Sequence, residues 1–136
     1  VKAWIVMLLA LSAPAVALAE EGGKEEDANK VAYVALTPPF VGNYSLDGGP
    51  KLHVYKADVA LRVTGAEAQK TVKANEPLIR NQLVALFTQQ TMDSMNSVDA
   101  KEKLRQEALK QVQQVMNEET GKPVIEDLLF NNFIAQ

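Results

Sequence analysis

Few side chains in this sequence are suited to chemistry: one histidine, His53; the adjacent carboxylates Glu126 and Asp127; Asp58; and the polar run Asp93 to Asp99, which holds Ser94, Asn96 and Ser97. A lone histidine works as a base or pH sensor only beside groups that set its charge, and a single copy excludes a two-histidine metal site within the chain. The chain has no cysteine, which removes thiolate catalysis, disulfides and thiolate metal sites together. Glu126 and Asp127 would make an acid and base pair only on a shared face, and successive strand residues point to opposite faces. Asp93 to Asp99 has calcium-loop oxygens without the loop's glycine or its closing bidentate glutamate, so it reads as helix capping. Tyr33, Phe40, Tyr44 and Tyr55 read as core and edge packing rather than a ligand cage. No G-x-S-x-G, H-E-x-x-H, Walker A or Rossmann fingerprint is present. No catalytic, cofactor-binding or metal-ligating residue is therefore assigned, and a small enzyme would need His53, Asp58 and Glu126 to converge in one pocket.

The elements that would position these groups are organised around Leu52 to Val63. There Tyr55, Ala57, Val59, Leu61 and Val63 keep a strict period of two, while Lys56, Asp58 and Arg62 take the opposite face. That is a strand buried on one side. Before it, Val31 to Leu36 reads as a short strand stopped by Thr37-Pro38-Pro39. Phe40, Val41 and Tyr44 then follow as an extended segment along the sheet edge, and Asp47-Gly48-Gly49-Pro50 reads as the turn into an antiparallel pair. After it, Thr64 is expected to cap a short helix, Ala66 to Ala74, with Glu67 three residues on. A core helix runs from Glu76 to about Met92 on Ile79, Leu83, Leu86 and Phe87. Asn96-Ser97 caps a third helix with the stripe Leu104, Ala108, Val112, Val115 and Met116, stopped by Gly121 and Pro123. The last strand, Val124 to Ala135, is expected to show Leu128, Phe130 and Ile134 on one face and Ile125, Leu129 and Phe133 on the other. A strand apolar on both faces is either central or covers a partner. The sum is one α+β domain, an antiparallel sheet packed against two to three helices.

Length leaves room for one domain and a modest core. The formal charge is −3, and Glu20 to Lys30 carries most of the acidity, so residues 31–136 are near neutral and offer nucleic acid no electrostatic footprint. Residues 1–19 read as a signal peptide ending in Ala17-Leu18-Ala19 or as a short membrane anchor, since the uncharged run Ala3 to Ala19 lies at the lower edge of spanning length. Either places the domain outside the cytoplasm. Residues 20–30, with Gly22-Gly23 and no large apolar side chain, read as an acidic flexible linker.

Several phrases, specific in combination, resemble the FliL family of flagellar basal-body-associated proteins. They are Tyr33-Val34-Ala35-Leu36-Thr37-Pro38-Pro39-Phe40-Val41-Gly42-Asn43, the long strand Leu52 to Val63, Pro77-Leu78-Ile79-Arg80-Asn81-Gln82-Leu83, the charged helix Asp99 to Leu109, and the closing Asp127-Leu128-Leu129-Phe130-Asn131-Asn132-Phe133-Ile134-Ala135-Gln136. The likeness covers residues 31–136. It implies a periplasmic domain of the stomatin/prohibitin (SPFH) type, ring-like homo-oligomers beside the stator, a role in flagellar rotation, swimming, swarming and chemotaxis, and no enzyme activity or cofactor. The family usually carries a cytoplasmic tail and an uncleaved membrane helix, whereas here the apolar run opens the chain and ends in Ala-x-Ala. The alternative function is a soluble periplasmic binding or chaperone-like module that takes an extended peptide by strand addition along Val124 to Ala135 or Phe40 to Tyr44.

Overall fold

The computed structural model describes residues 28–46 and 50–136. Residues 1–19, most of the 20–30 linker and the Asp47-Gly48-Gly49 part of the expected turn lie outside the described residues. The elements are β1 (Val31–Tyr44), β2 (His53–Thr64), α1 (Ala66–Ala74), α2 (Glu76–Thr88), α3 (Met92–Met95), α4 (Val98–Thr120) and β3 (Asp127–Ala135). The strands form a 3-stranded antiparallel sheet in the order β1-β2-β3. The period of two in β2 does what its pattern requires: Tyr55, Ala57, Val59, Leu61 and Val63 are all buried beneath the helices. Ile79, Leu83, Leu86 and Phe87 come down from α2, and Leu104, Ala108, Val112 and Met116 from α4. Each such Leu, Ile or Phe gains roughly 1.5–3 kcal/mol from full burial. The result is a small α+β domain, antiparallel sheet against helices, consistent with an SPFH-like fold.

Phe87 sits at the middle of this core. Its ring meets those of Phe40, Tyr55, Phe130 and Phe133 at centroid distances of 5.7, 5.3, 6.0 and 6.0 Å, in the edge-on and tilted geometries aromatic quadrupoles favour. Gly42 makes room for one of these rings. It pairs across the ladder with Tyr55, and a Cβ at residue 42 would lie 3.0 Å from the Tyr55 ring and hydroxyl.

Five expectations about the elements need correction. β1 does not stop at Thr37-Pro38-Pro39 but continues to Tyr44, with a register shift between Leu36 and Phe40 and a cis Thr37-Pro38 bond. As an edge strand, β1 needs no ladder donor on its outer side, so prolines there are tolerated; Arg80 Nη1 donates to the Pro38 carbonyl at 2.8 Å. Thr64 does not cap α1: Gly65 stands at that position with φ 96°, in a region favouring glycine, and the Thr64 hydroxyl donates to Glu126 instead. α2 ends at Thr88, and Met92 opens α3, capped by Thr91 in a reciprocal box with Ser94. β3 begins at Asp127, after Val124 at φ 57°. Its pairing with β2 slips between Asp58 and Val59. The extra residue reverses the alternation, so Phe130 and Phe133 both pack on the core and Ile134 faces outward. β3 is an edge strand, not the central one. Ser97 does cap α4, accepting from the Ala100 N–H at 3.0 Å, and Gly121 ends it at φ 80°.

Candidate functional site

The polar residues singled out in the sequence are spread along the sheet rather than gathered. His53 opens β2, its ring 5.5 Å from that of Tyr44. Asp58 lies mid-strand on the face away from the core, in register with Asn132. Glu126 lies by the other end of β2, its N–H donating to the Arg62 carbonyl at 2.8 Å. His53, Asp58 and Glu126 therefore do not converge. Asp93 and Asp99 occupy the first turns of α3 and α4, where a negative charge complements the helix dipole. Among the described residues no group of three His, Asp or Glu side chains could hold a metal ion. Phe40, Tyr44 and Tyr55 are buried while Tyr33 is exposed, so these aromatics form no cage.

Glu126 and Asp127 meet a common cation despite being neighbours in sequence. Arg62 Nε lies 3.5 Å from Glu126 and its Nη1 4.0 Å from Asp127. Strict alternation would separate them; Glu126 precedes the strand, so that rule does not reach it. Asp127 is shared with α4. Arg105 Nη1 donates to Asp127 at 2.7 Å and to the Leu128 carbonyl at 3.0 Å, while its Nε and Nη2 grip Glu102 at 2.9 and 2.6 Å. Hydrogen bonding from Arg105 holds the Glu102 carboxyl below the usual glutamate value, and the bonds Arg105 donates to Glu102 first, with Asp127 adding, raise the Arg105 guanidinium. One arginine thus ties α4 to the edge of the sheet. In the sequence Arg105 is only one of several charges within the charged helix Asp99 to Leu109. Its spacing of three from Glu102 was the available signal; its bond to Asp127 had none.

Beside this clamp, α4 and β3 enclose an open groove of about 620 Å³ that Val98, Lys101, Arg105, Phe130 and Phe133 help to line. The Phe130 and Phe133 rings lie 4.9 Å apart, Lys101 Nζ sits 5.5 Å from the Phe133 centroid, and Val98 at the mouth is 85% exposed. The groove offers apolar contact with a charged rim, an arrangement suited to binding another surface. The Leu128 carbonyl on β3 is taken by Arg105, and the Phe133 carbonyl receives Lys101 Nζ at 3.5 Å. A peptide strand adding along β3 would have to displace them. Phe40 and Tyr44, the anchors of the other strand-addition edge, are buried.

The geometry defines a class first: a small α+β domain, an antiparallel sheet packed against helices and consistent with an SPFH-like fold, in which Asp93, Asp99, Glu102, Arg105 and Asp127 serve helix ends and a clamp. The chain belongs to the FliL family, because its residues 33–136 match the family model described as flagellar basal body-associated protein FliL. It is also similar to the flagellar protein FliL of Aquifex aeolicus (strain VF5), 27% identical over 102 residues, which are 74% of this chain and 59% of that relative. The chain thus spans 59% of the length of the curated relative it matches. Among the described residues no helix is long and apolar enough to cross a membrane.

Proposed function

We propose that this chain is a non-enzymatic protein of the flagellar basal body that associates with the motor and its stator, and so supports rotation, swimming, swarming and chemotaxis. The observation that carries the reading is the family match, which runs from β1 to the last residue. The exposed side of α4 and the groove beside β3 supply the contact surface, with ring-like self-association and stator contact as its uses. The domain works at the periplasmic face of the inner membrane, either held by residues 1–19 or free after cleavage at Ala19, with residues 20–30 as spacer. Deleting the gene and restoring it tests this. Swimming speed under high load and swarming should fall on deletion and recover with the native chain; unchanged motility under load would refute the reading.

A further inference from the structure

The helices cover one face of the sheet, and among the described residues nothing covers the other. That open face carries Val31, Tyr33, Val41, Val54 and Ile134, each at least 41% exposed, a concentration of apolar surface that marks an interaction site. Its centre is charged. Lys56 and Asp58 project from β2 two residues apart, and Lys56 is flanked in the ladder by Val41 and Ile134. Arg62, the next charge along that face, is engaged by Glu126 and Asp127. Among the described residues the side chains of Lys56 and Asp58 have neither an ion pair nor a hydrogen bond.

We propose that this face packs on the same face of a second copy, about a two-fold axis crossing the strands at the level of Ala57. Antiparallel stacking then sets Lys56 on the partner's Asp58 and Asp58 on the partner's Lys56. A second copy supplies the opposite charges at the matching spacing by symmetry. An anionic membrane or nucleic acid would instead favour a face of one sign, which Asp58 opposes. Three strands of 14, 12 and 9 residues, at the usual rise and spacing, give roughly 600 Å² per copy. That total lies at the low edge of stable interfaces, so the dimer is weak, in roughly the micromolar range. Such a contact is isologous and distinct from the head-to-tail contacts that close a ring. It does not depend on where in the cell the domain works.

Sedimentation velocity of the full 136-residue chain in mild detergent tests the proposal through charge reversal. Lys56→Glu and Asp58→Lys should each weaken dimerisation at least about tenfold, since each sets like charges together twice per dimer. The double variant K56E/D58K should restore it to within about threefold, which also shows that the single variants did not simply misfold. Lys73→Glu, exposed on α1 and outside both the open sheet face and the α4 surface, should leave it unchanged. A chain that stays monomeric at high concentration, an assembly indifferent to the single reversals, or a double variant as weak as the singles would overturn the sheet-to-sheet dimer.

Discussion

At the scale of single residues, Phe87, Gly42, Tyr55 and the Arg105 clamp hold the sheet to its helices. Phe87→Ala should cost about 3–5 kcal/mol of unfolding free energy in urea titration, the range for emptying a fully buried aromatic site. Gly42→Ala should cost about 1–3 kcal/mol by pressing a methyl on the Tyr55 ring, and much less in a Tyr55→Val background, where the ring is gone. Arg105→Met should cost only about 1 kcal/mol, because a partly exposed clamp is screened by solvent. The clamp also fixes an acid response. Glu102 has a folded value below its ordinary 4.5, so its contribution is present above that value and is lost as pH falls through the folded one. Stability measured from pH 7 to pH 3 should therefore fall less steeply in Glu102→Gln than in the native chain. Tyr55 behaves oppositely at the alkaline end. Burial raises its hydroxyl above 10.0, opposed in part by Arg80, so its contribution is complete below 10.0 and declines as pH rises through the folded value. Tyr55→Phe should flatten that alkaline limb.

At the scale of elements, β3 offers the sharpest comparison. If the extra residue in β3 sets its faces as described, Phe133→Ala should cost roughly 2 kcal/mol, a half-buried fraction of the usual aromatic loss, while Ile134→Ser should stay within about 0.5 kcal/mol. A larger loss at Ile134 than at Phe133 would contradict the register. What could be read in the sequence follows the same division. The β2 alternation and the α4 stripe were legible because burial on one side imposes a period that no other force disturbs. The faces of β3 were not, since one inserted residue reverses parity without altering composition. β1 was shortened in the reading because prolines usually end a strand, and only its edge position, a property of the sheet order, makes them acceptable. Thr64 had two uses open to its hydroxyl, and the distant Glu126 won over the local cap. Of the candidate groove, Phe130 and Phe133 lie on the strand the sequence marks as a binding edge, whereas Lys101 and Arg105 were not legible, since they meet Phe133 and Asp127 only through the return of β3 onto α4.

For the whole molecule, the family phrases were legible because they lie in the elements that build the core, and the family model covers the same stretch. Residues 1–19 lie outside the described residues, and the proposal that they form a leader has its own test. Mass spectrometry of the mature N-terminus should find either Glu20 in the periplasmic fraction or intact residues 1–19 in the membrane pellet; a cytoplasmic chain with residues 1–19 intact would contradict the proposed compartment. The central claim is that the domain works at the flagellar basal body. Its most direct test is fluorescence imaging of the chain, tagged beyond Gln136 with a fluorophore that folds in the periplasm, in cells with and without basal bodies. We expect foci at the flagellar bases that vanish when the basal body is not assembled. An even distribution around the cell envelope, unchanged by loss of the basal body, would contradict the account.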